Sequence, residues 1–144
     1  MQNKTNWLAI VAAAVAGIAL GFLVYGLLFG DVWMAGNGIT TNADQTIMYK
    51  DGKEIPVSPL PMIINAVALL IYAYLMNWLI IKTGETTLAG GVRVGAVVGT
   101  IGLLLHYVAN RFAANPTSLS LVDGGYTLVL FVVIGAIVGG WRKK

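Results

Sequence analysis

Side chains able to titrate, donate to a ligand or hold a proton are sparse in the apolar parts of this chain, and five fall at matched positions: Tyr25, Asn65, His106, Asn110 and Tyr126. Each lies within or at the end of a long apolar run, where a polar group is costly unless paired and is a candidate for function. Asn65 stands about five residues into the second run, roughly 7 to 8 Å deep at about 1.5 Å per helical residue. His106 precedes Arg111 on the third run and reaches about the same depth. Asn110 follows it on the same face, because positions i and i+4 align on a helix. Tyr25 near the end of the first run and Tyr126-Thr127 at the start of the fourth complete an expected layer to which four helices contribute. Asn77 lies alone near the other end of the second run. Two chemistries suit such a layer: polar groups that pair and hold the helices in register, or a small-molecule or ion site in which His106 titrates near neutral pH.

The same inventory excludes a good deal. One imidazole cannot build a zinc site, which needs three or four ligands. The absence of cysteine removes disulfides, thiolate ligands and cysteine nucleophiles together. Acid–base catalysis needs positioned titratable groups in a pocket, and the runs hold no carboxylate pair and no Ser-His-Asp set. Asp31, Asp123 and Arg111 are placed at the membrane surface. No catalytic residue, metal or cofactor is therefore expected, and the chain does not read as an enzyme.

The elements that position these residues follow from composition. Of 144 residues 58% are hydrophobic and only 10% charged, against about 25% charged in a soluble domain. The apolar residues gather at 7–29, 60–81, 88–110 and 125–141, each run long enough to cross a hydrocarbon core of roughly 30 Å. The chain therefore reads as one all-α membrane domain over 1–144, with four transmembrane helices in a bundle. Ala14-Val15-Ala16 offers a signal-peptidase-like site, but the first run continues to Phe29, beyond a signal core of about 7 to 15 residues, and reads as a retained span. Pro59 and Pro61 suit the first turn of the second span.

Lysine and arginine set the orientation. With the N-terminus inside, Lys4, Lys82, Arg93, Arg142, Lys143 and Lys144 are cytoplasmic, leaving only Lys50, Lys53 and Arg111 outside. Trp7, Trp33, Trp78 and Trp141 fall at span ends, where indoles favour the interface. The expectation is a multi-pass protein of the cytoplasmic (inner) membrane with both termini cytoplasmic and the loop 30–58 external. The net charge of +3 is then a topology signal, with the lipid bilayer as partner and no nucleic acid. Arg142-Lys143-Lys144 would attract anionic lipid at about 1 kcal/mol per residue. Within the loop, Asp51-Gly52 between Thr46–Lys50 and Lys53–Val57 predicts a short extracytoplasmic β-hairpin between the first two helices, since a type I′ turn needs positive φ at both centres.

Small residues recur every four positions at Ala9, Ala13, Gly17 and Gly21, at Gly91, Gly95 and Gly99, and at Gly135 and Gly139. In lipid such stripes let helix backbones approach and gain dispersion contacts. Three striped helices are generous for a single four-helix bundle, where each helix has two neighbours, so the functional expectation is a homo-oligomeric structural or accessory membrane protein. The alternative is a small channel or transporter for an ion or small molecule, using the polar layer around His106.

The order of features resembles the small four-span membrane proteins grouped as the domain of unknown function 1761 family. The resemblance rests on Asn6-Trp7-Leu8-Ala9-Ile10, Leu28-Phe29-Gly30 followed by Trp33-Met34, Gly90-Gly91-Val92-Arg93, Asp123-Gly124-Gly125-Tyr126 and Gly135-Ala136-Ile137-Val138-Gly139. Where that family often has Trp-Tyr-Ser-Pro near the end of its first span, this chain has Val24-Tyr25-Gly26-Leu27 and shares only Tyr25. The resemblance implies a bacterial-type four-helix membrane protein and supplies no activity.

The topology is testable directly, because the chain has no native cysteine. A cysteine at Asn42 should react with an impermeant thiol reagent on intact cells and one at Lys144 should not; the reverse pattern would invert the orientation.

Overall fold

The computed structural model describes residues 5–56 and 58–142; Lys4, Val57, Lys143 and Lys144 lie outside that set. Four helices are long and apolar enough to cross a membrane: Trp7–Leu28, Leu60–Thr83, Leu88–Phe112 and Thr117–Gly140. The first consists of α1 (Trp7–Gly21) and a π-helical segment, Phe22–Leu28. A short helix α2 (Gly30–Gly36) and three strands follow, β1 (Ile39–Thr41), β2 (Met48–Lys50) and β3 (Lys53–Ile55). The remaining spans are α3 (Leu60–Thr83), α4 (Leu88–Phe112) and α5 (Thr117–Gly140).

Local chemistry sets the boundaries. Asn6 caps α1 by accepting from the Ala9 amide at 3.4 Å, and Thr87 caps α4 by accepting from Gly90 at 3.0 Å. Gly84, left-handed at φ 74°, ends α3. Asp51 and Gly52 both have positive φ, 51° and 79°, as the hairpin turn requires.

The loop holds more than the expected hairpin. β1 adds a third antiparallel strand, pairing Ile39 with Lys50 and Thr41 with Met48, while β2 pairs Met48 with Ile55 and Lys50 with Lys53. The Asn42 side chain closes the β1–β2 loop by accepting from the Thr46 and Ile47 amides at 2.8 and 2.9 Å. Lys50 then ties the sheet to the end of α2 by donating to the Asn37 carbonyl at 2.8 Å.

A second difference moves a charged residue. The fourth span begins at Thr117, directly after Pro116, well before the expected Gly125. Its polar first turns read as loop in the sequence, yet Leu119 and Ser120 are buried there, and Gly36 of α2 presses on the Leu119 side chain. Asp123 is thus a half-buried helical residue within the fourth candidate span, where the sequence places it in the preceding loop.

Three helices share the core. Ala9, Ala13 and Ile10 of α1 pack with Leu69, Ala73, Met76 and Ile80 of α3 and with Leu130, Ile134 and Val138 of α5. A fourth helix, α4, lies along nearly the whole length of α5 and barely touches α3. Its stripe is the reason: Gly91 faces the Gly135 carbonyl, Gly95 the Phe131 carbonyl, and Gly99 the backbone of Leu128, with Gly139 against Gly91. Gly17 on α1 receives Leu69 and Leu130. The stripes are therefore occupied within one chain, and no striped face is left over to call for a second subunit.

A matched pair of substitutions tests this seam. A methyl on Gly95 would drive into the Phe131 backbone, whereas one on Gly125 meets nothing within 4 Å. Gly95→Ala should cost about 1–3 kcal/mol through overpacking, and Gly125→Ala should be neutral or stabilising by up to about 1 kcal/mol through helix propensity. Thermal unfolding in mild detergent reads the difference; equal behaviour would contradict the seam.

Candidate functional site

Polar side chains cluster at both ends of the bundle. At the end bearing the chain termini, Asn6 donates to the Trp141 carbonyl at 2.9 Å and Arg142 Nη1 donates to Asn77 Oδ1 at 3.0 Å. Asn77, which stood alone in the sequence, is thus buried against the end of α5. These bonds fasten the first, second and fourth spans together. Burial pushes the Arg142 guanidinium below its ordinary pKa, and its Nε and Nη2 have no acceptor among the described residues.

The sheet end carries a different arrangement, centred on Asp123. Tyr25 donates its hydroxyl to Asp123 Oδ1 at 3.2 Å, and Asn110 Nδ2 donates to Oδ2 at 3.1 Å. Asn115 in turn donates to Asn110 Oδ1 at 2.8 Å. One carboxylate therefore links the π-helical segment, α4 and α5. Aromatic contacts hold Tyr25 in place: its ring meets Tyr126 edge-on at 4.9 Å and Trp33 at 5.9 Å.

Beside this network lies a cavity of about 550 Å³, within the range of about 300–1,000 Å³ typical of small-molecule sites. Ile18, Gly21, Phe22, Tyr25 and Gly26 form one wall, Met62 and Asn65 of α3 another, and Tyr126 of α5 and Met48 of β2 complete it. The π-helical segment shapes the first wall. Phe29 N bonds to the Val24 carbonyl at 2.8 Å, an i to i−5 bond that widens the helix, and such segments recur at functional sites. The Tyr126 hydroxyl sits over Gly21, 3.5 Å from where a Cβ would stand. Among the described residues the hydrogen bonds of this layer run through Tyr25, Asp123, Asn110 and Asn115, and leave the Asn65 amide and Tyr126 hydroxyl unengaged.

Of the five residues singled out in the sequence, Tyr25, Asn65 and Tyr126 thus share the cavity, and Asn110 joins Tyr25 through Asp123. His106 stands apart on the exposed flank of α4 and belongs to neither the cavity nor the network. Helical spacing does not account for this, because His106 and Asn110, four residues apart, share a face, yet Asn110 reaches Asp123 and His106 is exposed. The sequence does not mark Asp123 as a site residue, because the apolar run places the start of the fourth helix at Gly125, beyond it. Its position three residues before Tyr126 would otherwise have placed both on one face. Asn115 and the π-helical segment carry no comparable signal in the sequence.

Four apolar helices, with an open and mainly apolar cavity that carries a few polar groups, define a multi-pass membrane protein with a candidate ligand site at one end. The chain belongs to the family described as Protein of unknown function (DUF1761), whose model matches residues 8–139. No curated protein and no solved structure matches it.

The network predicts which polar residue matters for stability. Asp123→Ala strands the Tyr25 hydroxyl and the Asn110 amide and should cost about 1–3 kcal/mol for each stranded group that stays buried. His106→Ala should stay within about 0.5 kcal/mol, as expected of an exposed side chain. Unfolding midpoints in one detergent compare the two, and a larger loss for His106→Ala would contradict this placement.

Proposed function

We propose that this protein binds a small membrane-resident amphiphile in the cavity at its sheet end, with that end external and both termini cytoplasmic. The observation that carries the reading is the pairing of apolar walls with polar groups left unengaged. Ile18, Phe22, Met48 and Met62 suit an apolar body, while Asn65 and Tyr126 offer hydrogen bonds to one polar head. Phe22 and Met62, 65% and 51% exposed, lie on spans at the cavity wall, so entry from the lipid fits better than entry from water. Towards the termini end the helices close on Leu69 and Leu130 around Gly17, which favours holding a ligand over conducting one. The orientation is supported by the excess of Lys and Arg at the termini end and by Trp7, Trp78 and Trp141 there.

The test is photolabelling in nanodiscs with a dodecanol that carries a diazirine in its chain. Labelling should concentrate on the peptides around Phe22 and Met62, well above the α4 peptide Ile101–Leu105, whose Ile101, Leu104 and Leu105 are exposed. Gly21→Leu, which fills the space beneath the Tyr126 hydroxyl, should reduce the cavity labelling by about tenfold or more while the protein still assembles. Labelling spread evenly over all four spans would overturn the reading.

A further inference from the structure

We infer that the head group this cavity selects is cationic, an alkylammonium rather than an alcohol or a carboxylate, with Asp123 as its counter-charge. The inference rests on the binding reading above and adds the chemistry of the ligand.

Three observations converge on it. First, both Asp123 oxygens are held by neutral partners, one by the Tyr25 hydroxyl and the other by the Asn110 amide, so the carboxyl group is fixed in place without a cation. Secondly, no cationic side chain pairs directly with this carboxyl group among the described residues. The donors are neutral, and the ion pair present joins Arg93 to Glu85 near the start of α4, far along the chain from Asp123. Arg111, the basic residue at the end of α4, directs its guanidinium to the Asn115 carbonyl and the Thr117 hydroxyl instead. The other ionisable groups facing the site are Tyr25 and Tyr126, which cannot supply positive charge.

Thirdly, the carboxylate stands directly behind the cavity wall. Tyr25 lines the cavity and donates to Asp123 at 3.2 Å, so a single side chain separates the charge from the ligand space. In a membrane-spanning segment, water and salt screen such a field weakly, and a carboxylate there attracts a cation far more strongly than at an aqueous surface. Asn65 and Tyr126 can satisfy a head group of any sign, because an amide and a phenol both donate and accept. Discrimination by charge therefore falls to Asp123.

Three diazirine probes with the same dodecyl chain and an ammonium, hydroxyl or carboxylate head separate the possibilities. The full chain is labelled in nanodiscs of zwitterionic lipid, and each probe is normalised to its labelling of Ile101–Leu105, which cancels differences in partitioning. The wild type should take the ammonium probe into the cavity at least about tenfold more readily than the carboxylate probe, with the alcohol between them. Asp123→Asn should bring ammonium and alcohol to the same level, Asp123→Glu should keep the preference, and Asp123→Ser serves as the neutral variant if the asparagine does not assemble. Equal cavity labelling by all three probes in the wild type would overturn the charge assignment and leave the binding site standing. An ammonium preference that survives the neutral variants would likewise remove Asp123 from the role. No cavity labelling by any probe would overturn the binding reading itself.

Discussion

The close approach of two helix backbones, α4 against α5, is the constraint on which the rest of this structure depends. In hydrocarbon there is no hydrophobic drive to press one helix on another, so association relies on dispersion contacts that fade within an ångström or so. Glycines at 91, 95, 99, 135 and 139 remove the side chains that would hold the axes apart, and the facing carbonyls of Gly135 and Phe131 occupy the space. With α5 fixed against α4 on one side, its other side is free to pack Leu130, Ile134 and Val138 into α1 and α3. The same seam carries Asn110 to Asp123, because both lie beyond its last glycines towards the sheet end.

From this frame the cavity follows as a consequence of mismatch. Throughout the lower part of the first span, alanines and Gly17 let α1 meet α3 and α5 tightly. At Phe22 the helix changes to π geometry, which places more residues in each turn and broadens the cylinder. Small-residue packing stops there, and the walls part around Gly21 and Gly26. Tyr25 bridges the gap on one side through its contacts with Asp123, Tyr126 and Trp33, leaving Asn65 across the opening on α3. Met48 of β2 lines the top, so the sheet is part of the cavity and not a separate appendage.

Much of this was legible in the sequence because membrane physics writes it in large letters. Apolar run length gave the helices, the Asp51-Gly52 turn was recognisable from its need for positive φ, and the spacing of Gly91, Gly95 and Gly99 marked a packed face. What the stripes met was not legible, since a four-residue repeat does not say whether its partner is another span or another subunit. The start of α5 was hidden because Thr117–Asp123 has loop-like composition, and only burial under α2 makes it helical. That boundary decides whether Asp123 is a loop or a helical residue. His106 is the lone imidazole, but neither its type nor its i, i+4 spacing to Asn110 tells that it is exposed while Asn110 reaches Asp123.

The two polar ends of the bundle illustrate how similar ingredients serve different purposes. At the termini end, Asn6 and Asn77 bind Trp141 and Arg142, linking the first, second and fourth spans where the chain emerges from the helices. Those bonds join protein to protein across long sequence separations. At the sheet end, Asp123 and Asn110 also join helices, but Asn65 and the Tyr126 hydroxyl take no part in that fastening. A polar group retained in a membrane span without a structural bond is costly there. The cost is offset when such a group meets a ligand; Asn65 and Tyr126 line the open cavity where a ligand can reach them, whereas the unpartnered Arg142 Nε and Nη2 at the termini end are buried, and this contrast supports the proposed binding reading.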